Sequence, residues 1–244
     1  MIPGRNSDSR EFLIDADGAK LVGTLIVPSS VRGLVLFAHG SGSSRHSPRN
    51  RYVAQILLSH AIGIVLFDLL THEEESVDQS SGEFRFNIPF LAKRLVGATH
   101  CALNTPDLSK LKIGYFGAST GAGAALVAAA ELPGVIAAIV SRGGRPDLAG
   151  AALRGVRAPT LLIVGSEDKP VIDMNKKALE ELGCAEKKLV LVPGATHLFE
   201  EPGTLAKAAN LAADWFAKYF SIAGKTQAQN VVDGKVTLYA RKAA

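Results

Sequence analysis

Ser119 lies in a sequence pattern that could supply an activated nucleophile. An apolar run ends in the segment GASTG at 117–121, and an alanine-rich helical stretch begins at once. In such a Gly-x-Ser-x-Gly arrangement the serine occupies a sharp strand-to-helix turn, and the flanking glycines remove side chains that would clash there. Gly123 is expected to let the helix pack close to the strand. The N–H of Thr120 would then face any oxyanion formed at a carbonyl that Ser119 attacks.

A nucleophilic serine needs a histidine base, and the base needs a carboxylate that orients it. His197 is the only histidine after Ser119, and it follows the apolar run at 187–192 within a few residues. Asp168 closes the segment IVGSED directly after another apolar run, a position from which a carboxylate can reach the histidine. The chain order serine, acid, histidine is one that recurs in α/β enzymes. We therefore predict a catalytic triad of Ser119, Asp168 and His197.

Other carboxylates compete with Asp168 for the role of the orienting acid. Asp147 opens a predicted helix and Asp173 lies in the first turn of another, so helix capping is the expected role of both. Glu167, the neighbour of Asp168, is the fallback. A surface salt bridge is the alternative role for Asp168 itself.

The segment LFAHGSGSSRHS, at 36–47, is predicted to supply a second oxyanion donor. It follows an apolar strand, and its glycines allow the backbone to turn toward the site. The backbone N–H of Ser41 is the expected donor, and Gly40 is expected to contact the substrate. His39 precedes Ser119 by eighty residues. We expect it to form hydrogen bonds within its own loop rather than to act as the base.

Further charged residues could bind the substrate. The segment SRGGRPDLAG, at 141–150, leaves the end of a strand at the edge where such sheets bind ligands. Its arginines could bind a carboxylate or phosphate in a forked geometry, and Arg142 is the expected contact. The alternative is that Arg145 and Asp147 brace the loop to each other. The segment at 71–86 could form a wall of the site, although its three successive glutamates are more typical of a solvated surface.

The elements that would position these residues alternate between short strands and longer helices. Asp17-Gly18 between the first two apolar runs predicts a tight hairpin, so the sheet begins with an antiparallel edge. The later runs are apolar throughout, which is typical of parallel strands covered on both faces. We predict an α/β fold with a mostly parallel, twisted, eight-stranded sheet and helices on both faces. Strands are expected at 11–15, 20–27, 33–38, 62–67, 111–116, 135–140, 160–164 and 187–192, and helices at 48–60, 86–103, 120–132, 172–183 and 203–220.

The length of 244 residues suits one α/β domain. Only about twenty residues separate Val140 from Thr160, where a helical lid would be inserted, so an open site is expected. After Phe220 the residues become small and polar. We therefore divide the chain into a single domain at 1–220 and a tail at 221–244, which is either a loose segment or a short hairpin around Asp233-Gly234.

Composition narrows the class of partner. The net charge is +4, but no basic stripe forms and only 6% of the residues are aromatic, which argues against nucleic-acid binding. No apolar run reaches the roughly 18 residues of a membrane span, and no signal peptide is evident, so we expect a cytoplasmic protein without a membrane partner. Cys101 and Cys184 lack metal or redox spacing and are expected to be reduced thiols in helical segments. No metal or cofactor is implied.

The glycine-rich segment at 117–123 also resembles the dinucleotide-binding loop of short-chain dehydrogenases. Two observations argue against that interpretation. The dehydrogenase loop follows the first strand, near the start of the chain, whereas more than a hundred residues precede this one. None of the four tyrosines has the lysine four residues later that those enzymes need.

Over residues 10–220 the chain resembles the α/β-hydrolase superfamily. Within it, the segments HGSGSSR and GASTGAG resemble the dienelactone-hydrolase-related branch, which lacks a lid. Dienelactone hydrolases themselves use a cysteine where this chain has Ser119, so their lactone substrate is not carried over. The segment SRGGRPDLAG resembles one in bacterial relatives, some of which are fused to phosphoribosyltransferase domains. This chain has neither the length nor the acidic pair that such a domain requires.

These observations favour a serine hydrolase that cleaves esters or related acyl compounds through an acyl-enzyme. The expected partner is a small-molecule acyl substrate, and an anionic one would suit the basic charge. The same residues would serve a thioesterase, an amidase or an acyltransferase. A non-catalytic binding or receptor protein on the same fold is the alternative from a different class, but a complete triad argues against it. Oligomeric state stays open, and 230–241 is where a partner contact is expected.

Overall fold

The computed structural model describes residues 7–16 and 18–221. Its eight strands are β1 (Ser7–Ala16), β2 (Ala19–Pro28), β3 (Leu34–Ala38), β4 (Gly63–Phe67), β5 (Ile113–Ala118), β6 (Ile136–Arg142), β7 (Thr160–Gly165) and β8 (Lys187–Val192). They form one sheet in the order β1-β2-β4-β3-β5-β6-β7-β8. β2 pairs antiparallel with both β1 and β4, and all other neighbours in the sheet are parallel.

Helices cover both faces of this sheet. They are α1 (Pro48–Ser59), α2 (His72–Ser81), α3 (Ile88–Asn104), α4 (Thr120–Glu131), α5 (Lys169–Glu181) and α6 (Thr204–Ser221), with a 3₁₀ segment at Pro146–Gly155. One apolar core lies under α3, α4 and the 3₁₀ segment, and a second lies under α1 and α6. The predicted fold class is therefore confirmed.

The sequence pattern accounts for both kinds of strand. From Glu11 to Ala16, β1 alternates between exposed and buried side chains, as an edge strand with one covered face requires. Gly18, just before β2, takes φ +84°. The central strands β3, β4, β5 and β7 are buried at every position, because helices lie on both of their faces.

Two helices differ from the prediction by more than two residues at their start. α2 was not predicted, although Thr71 and Glu74 form a reciprocal capping box at its start. α5 begins at Lys169, three residues before the predicted start, so Asp173 lies in the second turn and not in the first. Cys101 lies on α3 as expected, whereas Cys184 is buried beyond the end of α5 rather than in a helix.

The connection between β6 and β7 does not form a lid. Its 3₁₀ segment buries Pro146, Ala149 and Leu153. A Cβ at Gly123 would lie 3.1 Å from both the Arg145 carbonyl and the Leu148 Cβ. The expectation that Gly123 lets α4 approach the strand was therefore wrong, because the absent side chain makes room for this connection instead.

No helix within the described residues has both the length and the apolar character needed to cross a membrane. Over the same residues, no three His, Cys, Asp or Glu side chains come together in a way that could hold a metal ion. The tail was predicted at 221–244. Ser221 is instead the last residue of α6, and 222–244 lie outside the described residues.

Candidate active site

Ser119 occupies a strained turn between β5 and α4. Its backbone has φ +50° and ψ −123°, a conformation that non-glycine residues rarely adopt and that is typical of functional sites. The neighbouring glycines are required by close backbone approach. A Cβ at Gly117 would lie 2.4 Å from the Ala122 Cα, and one at Gly121 would lie 2.2 Å from the Ala38 carbonyl oxygen. The serine is partly exposed at the end of the sheet.

The loop after β3 lies directly against this turn. A Cβ at Gly40 would lie 3.0 Å from the Ser119 Cβ, so only glycine fits here without displacing the serine. The Ser43 N–H closes a turn onto the Gly40 carbonyl at 3.1 Å, and Gly42 takes φ +67°. Gly40 therefore lies beside Ser119, as its predicted contact with the substrate requires.

His39 braces this loop from within the core. Its Nδ1–H donates to the Gly40 carbonyl at 3.0 Å, and its Nε2 accepts from the Leu69 N–H at 3.1 Å. Both ring nitrogens are thus used by the neutral imidazole. Burial lowers the pKa of His39, against the smaller raising effects of the Gly40 carbonyl and two carboxylates.

The lowered pKa of His39 predicts a loss of stability in acid. The unfolded chain binds a proton near pH 6.5 whereas the folded chain resists it, so the stabilising effect is present above pH 6.5 and is lost as the pH falls below that value. The loss amounts to at most about 1.4 kcal/mol per pH unit. Urea unfolding at pH 7.5 and 5.5 should show a smaller acid-induced loss for His39→Gln than for the wild type. Equal losses in both proteins would contradict this role.

His197 and Asp168 meet across two loops at the same end of the sheet. The His197 Nδ1 lies 2.7 Å from the Asp168 Oδ2. Asp168 is the N-cap residue of α5, yet its side chain forms no capping hydrogen bond, so the carboxylate is directed to the imidazole instead. The Asp168 side chain is only 11% exposed and that of His197 is 39% exposed. With Nδ1–H donating to the carboxylate, Nε2 is the nitrogen left to accept a proton.

Gly143, which follows β6, allows the His197 loop to approach closely. A Cβ at Gly143 would lie 3.0 Å from the His197 carbonyl oxygen and 3.7 Å from its Nδ1. Gly143 directly follows Arg142, which pairs in register with Ala118, the residue before Ser119. His197 therefore packs on the strand next to the one that carries the serine.

The three competing carboxylates are directed elsewhere in the described structure. Asp147 accepts two hydrogen bonds from Arg145, at 2.9 and 2.7 Å, which is the brace considered as the alternative role of that arginine. Glu167 is exposed and accepts from the Ser166 hydroxyl. Asp173 lies near Lys176 on the surface of α5.

Of the two expected oxyanion donors, one is already hydrogen-bonded within the protein. The Thr120 N–H, in the first turn of α4, has no hydrogen-bond partner among the described residues. The Ser41 N–H donates to the Thr120 hydroxyl oxygen at 2.8 Å. Ser41 and Thr120 therefore lie together, as predicted for the two donors. Their contact is made by the Thr120 side chain, for which the sequence predicted no role.

Among the described residues, Arg142 is a buried cation without a counterion. The residue is 7% exposed, and its Nε and Nη1 have no hydrogen-bond partner within the described residues. Its guanidinium lies 5.7 Å from the centre of the Phe199 ring. Burial, together with the nearby charge of Arg49, lowers the pKa of Arg142 to about 10, so the group stays protonated at neutral pH.

The segment at 71–86 forms a wall beside the expected oxyanion donors. Glu75, Asp78 and Arg85 line a small pocket together with Ser41 and Thr120. Asp78 is buried and accepts from the Arg85 Nε at 2.6 Å and from two backbone N–H groups. The sequence analysis gave this segment as a possible wall but did not predict its helix, which the capping box at the start of α2 could have indicated.

The chain is similar to a known protein family and to solved structures. The family model described as "Dienelactone hydrolase family" matches residues 90–223. A dienelactone hydrolase from Anabaena variabilis superposes with a TM-score of 0.86 at 55% identity, over 88% of this chain and 99% of that one. Est1E from Butyrivibrio proteoclasticus shares the fold, with a TM-score of 0.71 at 16% identity over 86% of this chain and 98% of that one.

Two Mycobacterium tuberculosis proteins, provisionally named phosphoribosyl transferases, are 53% identical over 206 residues. The match covers 84% of this chain but only 45% of theirs, so the chain spans less than half of their length. Because the family match covers more than half of the chain and includes the Ser119 turn, the Asp168 loop and the His197 loop, the chain belongs to the dienelactone hydrolase family of hydrolases.

Proposed function

We propose that this hydrolase cleaves esters or related acyl compounds with Ser119 as nucleophile, His197 as general base and Asp168 as the orienting acid. The observation that carries the proposal is the 2.7 Å hydrogen bond between His197 and Asp168, which lie at the same end of the sheet as the strained Ser119 turn. Such an imidazole, oriented through Nδ1 and exposed at its other edge, is what an activated serine requires.

The reaction follows from these positions. The Ser119 Oγ attacks the acyl carbon while His197 Nε2 takes its proton, and Asp168 stabilises the imidazolium that forms. The Thr120 N–H stabilises the oxyanion from the N-terminus of α4. When the tetrahedral intermediate collapses, His197 returns the proton to the leaving group. Water, activated by the same imidazole, then attacks the acyl-enzyme and releases the acid.

The class of leaving group is tested by direct assay. p-Nitrophenyl butyrate, a butyryl thioester and the matching anilide offer one acyl group on three leaving groups. Turnover of the ester that disappears in Ser119→Ala supports the proposal. A folded wild type that binds acyl compounds without turning over any of the three would favour a receptor protein instead. The transferase name of the mycobacterial proteins is not carried over, since most of their length lies outside the match.

The substrate is proposed to carry a negative charge near its acyl group. An unpaired buried cation is unfavourable unless something compensates for it, and Arg142 has no described carboxylate as a partner. Arg142 is the last residue of β6 and pairs in register with Ala118, the residue before Ser119. A carboxylate or phosphate on the substrate would satisfy the free Nε and Nη1 with charge-assisted hydrogen bonds.

A matched pair of esters tests this role of Arg142. The wild type should prefer p-nitrophenyl hydrogen succinate over p-nitrophenyl butyrate in kcat/KM. Arg142→Gln should lower kcat/KM for the succinate ester at least about tenfold more than for the butyrate ester, because a charge-assisted hydrogen bond contributes roughly 1.5–3 kcal/mol. Arg142→Lys keeps the positive charge but cannot form two parallel hydrogen bonds. Its kcat/KM for the succinate ester should lie between those of the wild type and Arg142→Gln. Equal losses on both esters would show that Arg142 only supports the fold.

A further inference from the structure

The side chain of Thr120 lies where the two backbone donors of the oxyanion site meet. Thr120 is the first residue of α4 and is only 4% exposed. Its hydroxyl oxygen accepts the Ser41 N–H at 2.8 Å. The loop that carries Ser41 is fixed against Ser119 by the 3.0 Å approach of Gly40. The amide and the hydroxyl are therefore held together beside the nucleophile.

This hydrogen bond changes which groups can donate to the oxyanion. While the Ser41 N–H points at the Thr120 hydroxyl, it does not point at the substrate. A hydroxyl that accepts one hydrogen bond still has its own O–H to donate. Within the described residues the structure gives this O–H no acceptor, although the residue is buried. Thr120 lines a small pocket together with His39, Gly40, Ser41 and, from α2, Glu75 and Asp78.

Building on the proposed function, we propose that the Thr120 hydroxyl is a catalytic donor of the oxyanion hole. Thr120 then supplies two donors to the oxyanion, its backbone N–H and its Oγ–H. The Ser41 N–H acts on the oxyanion through the hydroxyl, since a hydroxyl that accepts a hydrogen bond becomes a stronger donor. No bond at Thr120 forms or breaks during the reaction.

Threonine suits this role better than a flexible polar residue would. A β-branched side chain is restricted in χ1, so the hydroxyl is held in position before the substrate arrives. A preorganised donor contributes more to transition-state stabilisation than one that must be ordered during the reaction. Valine has nearly the same shape but no hydroxyl, which gives a clean variant.

The test compares Thr120→Val with Thr120→Ser. With p-nitrophenyl butyrate, Thr120→Val should lose about 10²-fold in kcat with little change in KM, as expected for loss of one oxyanion donor. A trifluoromethyl ketone that forms a tetrahedral adduct should lose affinity for Thr120→Val by a similar factor. Thr120→Ser should recover most of both losses. Ser44→Ala removes another hydroxyl from the same loop and serves as the control, with wild-type kinetics expected.

Three outcomes would overturn the inference. Thr120→Val could keep kcat within about threefold of the wild type, which would mean that the Ser41 N–H turns to the substrate by itself. Thr120→Ser could be as impaired as Thr120→Val, which would assign the effect to the methyl group. Thr120→Val could raise KM while leaving kcat unchanged, which would mean that the hydroxyl acts in ground-state binding only. Thr120→Ala gives the same comparison if the valine variant does not fold. The proposed function is judged separately, by hydrolysis and by covalent labelling of the wild type, and its failure would remove this inference as well.

Discussion

Replacing Ser119 by alanine is expected to lower kcat for p-nitrophenyl butyrate by about 10⁵-fold. Without the Oγ no acyl-enzyme can form, and only the oxyanion donors and substrate binding remain to accelerate attack by water. KM should change far less than kcat, because the serine hydroxyl contributes little to ground-state binding. Steady-state kinetics measured with freshly purified protein at neutral pH would give both constants.

The control for this variant comes from the backbone at the same position. Ser119 has φ +50°, which strains any side chain but suits glycine. Ser119→Gly therefore removes the hydroxyl in a chain that should fold at least as well as the wild type. Both variants should show equally low turnover and cooperative thermal unfolding. Retention of more than about 1% of the wild-type kcat in either folded variant would contradict a nucleophilic role of Ser119.

Replacing Asp168 by asparagine is expected to lower kcat by about 10⁴-fold. The wild-type carboxylate accepts the Nδ1–H of His197 at 2.7 Å and leaves Nε2 free to take the serine proton. An amide can donate its own N–H to Nδ1, which places the imidazole proton on Nε2, the wrong tautomer for a base. Steady-state kinetics on p-nitrophenyl butyrate measure the loss.

The matched control for Asp168→Asn is the adjacent carboxylate. Glu167→Gln makes the same chemical change one residue away, at an exposed side chain that bonds the Ser166 hydroxyl. Wild-type kcat is expected for this control. A large loss of kcat in Glu167→Gln, with a small loss in Asp168→Asn, would assign the role of the orienting acid to Glu167 instead.

The fold could be predicted where local pattern decides the structure. Alternating and continuous apolar runs located all eight strands, and Asp17-Gly18 located the antiparallel edge that β1 and β2 form. α2 was missed because three glutamates in its first turn were interpreted as a solvated surface. Those glutamates suit the N-terminus of a helix, where negative charge is favourable.

Some features of the candidate site could also be predicted from local sequence, whereas others could not. Ser119, Asp168 and His197 each follow the carboxyl end of a parallel strand. Their positions in the sequence therefore sufficed to predict that they lie at the same end of the sheet. Features that depend on packing could not be predicted. The Nε and Nη1 of Arg142, which have no partner among the described residues, and the Ser41-to-Thr120 hydrogen bond both depend on segments far apart in sequence. No local pattern of residue types specifies either of them.

One measurement tests the activated serine most directly. The folded wild-type protein is incubated with a fluorophosphonate probe, and the labelled peptide is then identified by mass spectrometry. The account predicts a single adduct on Ser119, absent from Ser119→Ala and formed far more slowly in Asp168→Asn. A folded wild type that stays unlabelled, or that carries its adduct on another residue, would contradict the proposed triad.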